Sequence, residues 1–495
     1  MSSAPLRKSM TFWERFSEPQ SVISFLFLYC ALQFLVRAVI TPDFTLDESQ
    51  QLLFSQSLQW SYRPGEAPLI TWLSWASFAA TGGSRTAFLL LKYVLMALGF
   101  LAYFGAARLV IRDTLYAALA TFVLPATISM GYLPVVDKPQ IVLLATMVAA
   151  YMWADARVLT RGTWLDHLIL GVVSGFGILS GYIFLVAPVA LGIGAALTPY
   201  LRARLKPLPL LLATVVAIAI VAPYAMQTGG AGIARSSSGA MRDIVILVLA
   251  MVTFVLPAAL AFPLLYWRAC MPMGGAQGDT EDRAWLRTYG IALIAGALIV
   301  LVLVFVADIA SFVKGGPYAA LLLLPTYFFL RVKIAGATDR ANKIFIALVG
   351  VFALAVIGTR VAIYETHADN CRNCREYWPM PTYADGLRQV GFQQGTILGA
   401  SNDLAGNLRY RFPQSRVVTP FDPPSVFGPN PGGQCLVVWE GEGDTPKVTL
   451  GYLSNALHAK VTAASMRGDI TAKLLTSKKR FATMSYILLP PASCH

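Results

Sequence analysis

Apolar segments long enough to cross a lipid bilayer recur through this chain, and they constrain it more than anything else. About 20 apolar residues suffice for one helical crossing, and shorter ones can lie inside a bundle. Eleven stretches qualify, centred on residues 21–40, 86–109, 114–131, 139–153, 168–180, 183–199, 207–224, 244–267, 288–307, 318–330 and 344–362. Backbone in lipid must satisfy its own hydrogen bonds, so these stretches predict a polytopic helical bundle. Residues 168–199 could be two short crossings or one long broken one, with Gly175, Gly177, Gly181 and Pro188 as candidate breakers. Only 13% of the 495 residues are charged, against about 25% in a soluble domain.

The net charge of +13 does not point to nucleic acid, because the basic residues fall between the apolar segments. Arg7, Lys8 and Arg15 precede the first; Arg108 and Arg112, Arg157 and Arg161, Arg202 to Lys206, Arg268 to Arg287, and Arg331 to Lys343 follow alternate ones. The positive-inside rule puts these on the cytoplasmic side, with the N-terminus. Residues 41–85, 132–138, 227–243, 309–317 and the whole C-terminal part then lie outside. The polar, basic residues 1–20 do not read as a cleavable signal, and the first apolar run is expected to span and remain.

The first outer loop, TPDFTLDESQQLLFSQSLQWSYRPGEAPLITWLSWASFAAT over residues 41–81, is not a plain connection. Leu46, Leu52, Leu53, Phe54, Leu58 and Trp60 recur at helical spacing, as in a helix lying in a membrane interface. Trp72 and Trp75 mark a second such run, since tryptophan favours the headgroup layer. At the head of the first sit Asp47 and Glu48, behind a possible capping Thr45. After about residue 365 the chain turns polar. Residues 383–390 predict a short helix, and 395–400, 416–419, 435–439 and 484–489 predict strands, giving a small α/β outer domain. The expected division is thus residues 1–364 in the membrane and 365–495 outside. Cys371, Cys374, Cys435 and Cys494 all fall in that domain. The pairs Cys371–Cys374 and Cys435–Cys494 are expected in an oxidising compartment; a zinc site is the alternative, but the last two are too widely spaced to favour it.

Ionisable residues near the membrane are candidates for function. Lys92, Asp137, Lys138, Asp308 and Lys314 join Asp47, Glu48, Arg63 and Glu66 at one face of the bundle. A transporter should carry such charges at mid-depth. Asp47 and Asp137 together could ligate a divalent cation, or one could serve as general base while a phosphate leaves. Each also has a plain structural explanation. Asp47 and Asp137 could be capping acids, Glu48 the partner of a nearby arginine, and Lys314 a surface lysine that snorkels. The four histidines form no ligand pair.

Three features together resemble the family 39 glycosyltransferases: the DE pair in LDESQQLLFSQSLQW, the stretch APLITWL where such proteins often read PPLITWL, and the acid of VVDKPQIVLLATMVAAYMW. GILSGYIFLVAP stands where many read LLSKYT. These enzymes are bacterial relatives of protein O-mannosyltransferases and of the lipid A aminoarabinose transferase, and the resemblance covers about residues 20–335. It implies a mainly α GT-C fold, a polyprenyl-phosphate sugar donor, a lipid or polysaccharide acceptor of the lipopolysaccharide kind, and work on the periplasmic face of the inner membrane. It makes Asp47 the acid facing the acceptor and Asp137 the second-loop acid, with Glu48 beside them. Glu66–Ala67 and Gly181 replace positions where relatives carry His or Lys, although Tyr182 keeps the motif tyrosine. Contacts to the donor phosphate or substrate are then expected from Arg63, Glu66, Lys138, Tyr182, Arg235, Arg242 or Lys314. Two other readings stand beside this one: a lipid-linked-sugar flippase without transferase activity, and a scaffold whose outer domain binds a partner.

Overall fold

The computed structural model describes residues 14–63, 66–228, 240–256, 258–271, 278–305, 318–371, 374–491 and 493–494. The principal helices of the bundle are, in chain order, α1 (Pro19–Ile40), α2 (Leu46–Phe54), α3 (Leu69–Ala80), α4 (Arg85–Ile111), α5 (Thr114–Phe122), α6 (Pro139–Thr160), α7 (Trp164–Ser180), α8 (Val186–Leu197), α9 (Pro207–Thr228), α10 (Ala240–Val255), α11 (Thr280–Phe305), α12 (Leu324–Ala335) and α13 (Asp339–Thr366).

Seven helices among the described residues are long and apolar enough to cross a membrane: α1, α4, α6, α9, α11, Tyr318–Ala335 and α13. Others of the eleven expected stretches form shorter apolar helices. Residues 168–199 resolve into two, α7 and α8, parted at Gly181, where φ is 149° and only glycine sits easily. Pro188 lies in the first turn of α8, where a missing N–H costs nothing.

The expected span at 114–131 departs most from a straight crossing. α5 ends at Phe122, and a π-turn occupies Ile128–Tyr132. An added Cβ on Gly131 would lie 2.0 Å from the Pro125 carbonyl oxygen, so the chain can double back here only with glycine. The short helix Leu133–Val136 then delivers Asp137 and Lys138 beside the head of α2. Lys138 has φ 67°, left-handed for a residue with a side chain, and it precedes Pro139, which disfavours the right-handed helical region.

The outer domain adds α14 (Met380–Gln389), β1 (Gly395–Gly399), α15 (Asn402–Arg411), β2 (Arg416–Val418), β3 (Gln434–Glu440), α16 (Lys447–Asn455), β4 (Met466–Lys473) and β5 (Phe481–Leu489). Its five-stranded sheet has the order β2-β1-β3-β5-β4. β1 runs parallel to β2 and β3, while β5 pairs antiparallel with β3 and β4. Both expected disulfides form, Cys371–Cys374 and Cys435–Cys494.

The first outer loop belongs to both parts. Leu53, Phe54 and Tyr62 are buried in the hydrophobic core of the outer domain. Leu52 and Phe44 pack instead against Phe88 and Leu89 of α4. The apolar face of α2, which in sequence looks lipid-directed, is taken up by protein. Of its leucines only Leu46 is exposed, and Leu58 and Trp60 beyond its end are also exposed.

Candidate active site

Four elements bring the acids together: α1, α2, α4 and the turn before α6. Asp137 caps the start of α2. Its carboxylate accepts from the Thr45 hydroxyl at 2.8 Å and from the Asp47 N–H at 3.3 Å. This places an anion where the helix dipole favours one. Lys138, the next residue, donates to the Asp47 carboxylate at 2.8 Å. Asp47 and Lys138 side chains are 24% and 42% exposed, so a ligand can reach both.

Glu48 sits differently. Its side chain is 3% exposed, with Arg37 of α1 at 2.5 Å on one oxygen and Lys92 of α4 at 2.8 Å on the other. It also accepts from the Thr45 N–H at 3.2 Å. Burial alone would raise its pKa, but the two cations overcome that and hold the carboxyl well below its ordinary range. Both oxygens are thereby committed inside the protein. Arg37, within an apolar span, escaped notice in the sequence; a lone arginine three residues from the end of such a run was the available signal. Its guanidinium also bonds the Thr41 hydroxyl, and it donates to the Asp43 carbonyl at 2.9 Å.

Asp137 is pushed up to about 6, first by burial and then by the negative charges of Asp47 and Glu48, against Lys92 and the Thr45 hydrogen bond. For Lys138, burial pulls down, but the bond to Asp47 outweighs it and the ammonium is held above its usual range.

The remaining candidates spread out. Arg63, expected at a phosphate, is tied to Asp422 of the outer domain at 2.5 Å and lies 3.9 Å from Glu66. Glu66 accepts from the Gln50 amide at 3.3 Å, and burial raises its pKa. Tyr182 opens the turn after Gly181 and is half-buried. Arg242 is exposed near the start of α10. Arg235 and Lys314 lie outside the described residues.

The outer domain grips α2 directly. Asn407 of α15 accepts from the Phe44 N–H at 2.9 Å and donates to the Phe44 carbonyl at 3.2 Å and to the Ser49 hydroxyl at 3.0 Å. A Cβ on Gly406 would stand 2.2 Å from the Ser49 carbonyl oxygen. Asp403, buried beside Ser49, is pushed up to about 7 by burial, against the charge of Arg375.

For a divalent cation the fit is poor. Asp47 already carries the Lys138 ammonium, and both Asp137 oxygens are engaged at the helix start. Among the described residues no three His, Cys, Asp or Glu side chains gather as ligands.

Similar proteins are found by sequence and by fold. Residues 64–226 match the family described as dolichyl-phosphate-mannose-protein mannosyltransferase. The lipopolysaccharide core galacturonosyltransferase RgtB of Rhizobium johnstonii is 28% identical over 411 residues, 79% of this chain and 81% of that protein. RgtA of the same organism, of the same description, is 26% identical over 443 residues, 84% and 85% of the two chains. The crystal structure of ArnT from Cupriavidus metallidurans bound to undecaprenyl phosphate superposes with a TM-score of 0.59, at 13% identity, over 94% of this chain and 98% of ArnT. Its apo form gives 0.50 at 15% identity, over 93% and 98%. The chain thus has an ArnT-like GT-C fold, and its sequence is similar to family 39 glycosyltransferases along the stretch that carries the acid-bearing outer loop and the spans after it.

Proposed function

We propose that the protein transfers a sugar from a polyprenyl-phosphate donor to a lipid or polysaccharide acceptor, of the lipopolysaccharide kind, at the periplasmic face of the bacterial inner membrane. The carrying observation is the half-exposed Asp47–Lys138 pair, anchored by Asp137 on a helix that the outer domain grips at Ser49. The basic residues between spans and the two disulfides support placing that domain outside and the N-terminus in the cytoplasm. Resemblance to RgtA and RgtB supports a lipopolysaccharide acceptor, and the ArnT structure supports a prenyl phosphate.

In this reading Asp47 is the general base. An acceptor hydroxyl oxygen attacks the anomeric carbon, and its proton passes to the Asp47 carboxylate. The bond from that carbon to the phosphate oxygen breaks, releasing the prenyl phosphate. Lys138 exchanges its partner, leaving Asp47 for the departing phosphate and so restoring the basicity of the carboxylate. Asp137 holds the start of α2 so that Asp47 stays in place. Glu48 with Arg37 and Lys92 forms the internal support, away from substrate.

The test is Asp47→Asn in membranes from cells lacking the native protein, supplied with polyprenyl-phosphate sugar and lipopolysaccharide. General-base help is worth about a hundredfold or more, so transfer should fall by at least that factor. Undiminished transfer by a folded variant removes Asp47 from the chemistry.

A further inference from the structure

The outer domain gathers polar side chains where its parallel strands end. From β1 the chain passes through α15 to β2 on one side, while β3 lies on the other side of β1. The order of the parallel strands therefore reverses between β1 and β3, and open parallel sheets bind ligands just beyond the strand ends at such a point. Ser401 and Asn402 follow β1 there, and Glu440 ends β3.

Polar groups converge on this place and are left incomplete. Glu440 accepts from the Ser401 hydroxyl at 2.5 Å and stands 3.6 Å from Arg375. The Tyr383 hydroxyl lies within electrostatic reach of Glu440. Tyr383 is 1% exposed, yet its hydroxyl has no hydrogen-bond partner among the described residues. The Asn402 Oδ1 and the Arg375 Nε are likewise buried without a partner. Buried polar atoms in proteins are normally satisfied, so three on residues around the Ser401–Glu440 pair point to a ligand that completes them.

The chemistry of the cluster selects that ligand. Arg375 and Glu440 cancel, so the net field is weak, and the nearby Asp403 carboxyl discourages an anion. What remains is a carboxylate, an amide and two hydroxyls, the groups that hold the hydroxyls of a neutral sugar ring. The Asn402 amide also donates to Gln50 at 3.5 Å. Gln50 is three residues along α2 from Asp47, on the same helix face and about 5 Å up the axis.

We propose that the cluster formed by Ser401, Asn402, Glu440, Tyr383 and Arg375 is a sugar-ring subsite that seats the acceptor glycan next to Asp47. This rests on the transferase reading above and assigns the outer domain the choice of acceptor.

The experiment uses the full chain in lipid nanodiscs, titrated with deacylated lipopolysaccharide, and reads tryptophan fluorescence from Trp439, beside Glu440, and Trp378. Saturable quenching is expected. Glu440→Gln and Asn402→Ala should each weaken binding about tenfold or more, and Tyr383→Phe about fivefold. Tyr383→Phe keeps the ring in the core, so it answers the question should the other two misfold. Absence of saturable quenching in the parent, or parental affinity in all three cluster variants, overturns the proposal. So does equal competition by inorganic phosphate, which would mark an anion site. If Asp47→Asn transfers at the parental rate, the transferase mechanism fails while the sugar titration still decides the subsite on its own.

Discussion

Glu48→Gln should damage stability far more than its neighbour's removal. In the native protein the site holds two cations and one anion, all at least 96% buried as side chains. Replacing Glu48 by the isosteric amide leaves Arg37 and Lys92 facing each other with no compensating charge. Breaking a buried ion pair by removing one partner costs about 3–5 kcal/mol. Lys92→Met should cost much less, because Arg37 and Glu48 then balance one to one. The double variant Glu48→Gln/Lys92→Met should recover part of the loss, since only one unpaired cation remains. At roughly 2 °C per kcal/mol for a long chain, Glu48→Gln lowers the unfolding midpoint by about 6–10 °C. The assay is thermal unfolding of purified protein in detergent or nanodiscs, with all three variants side by side. A midpoint for Glu48→Gln within experimental error of the parent, or a larger loss in Lys92→Met, refutes the argument that Glu48 is an internal counter-ion.

Three further outcomes follow from the same geometry. Asp137 titrates near pH 6, so transfer should rise with pH through that value as the charged carboxylate takes up the start of α2, and Asp137→Asn should erase this limb of the profile. The effect on stability has the opposite sign: a carboxyl raised from 3.8 to about 6 on folding stabilises the protein most below 3.8, and that contribution is lost as pH climbs through 6. Gly406→Ala, whose methyl would meet the Ser49 carbonyl, should cost about 1–3 kcal/mol by overpacking and lower transfer, as shown by unfolding and by membrane assay. Excess chelator should leave the transfer rate unchanged, as measured in membranes washed free of added divalent ions.

The sequence was most legible where one physical rule acts alone. Apolar length predicts the seven helices of spanning length, α1, α4, α6, α9, α11, Tyr318–Ala335 and α13, and the two disulfide pairings are expected from cysteines confined to one polar region. Asp47 and Asp137 were legible as neighbours because few acids exist on that face. The setting of Glu48 was not, since adjacent residues on a helix point to different sides, and only α1 and α4 together show which side is dry. β4 is hard to read because MRGDITAK, an edge strand, alternates polar residues only with Met466, Gly468, Ile470 and Ala472, a weak apolar face that stays partly exposed. α15 is hard to read for a related reason: NDLAGNLRYR is polar overall, with only Leu404, Ala405 and Leu408 in the core while Gly406 and Asn407 meet α2. The turn-back at Gly131 was hidden because Pro125 and Gly131 look like ordinary breakers inside an apolar run. The Arg63–Asp422 link joins residues 359 apart, a separation over which no local pattern operates.

The approach of Gly406 to Ser49, with Phe54 and Tyr62 sunk among the strands, means that the Asp47-bearing loop and the sheet domain pack as one unit rather than two modules on a tether. Grafting a head from a homologue with another acceptor would break that unit. Changes of acceptor within such a lineage should therefore come from edits to the loops at the rim of the sheet, leaving the seam with the membrane part untouched.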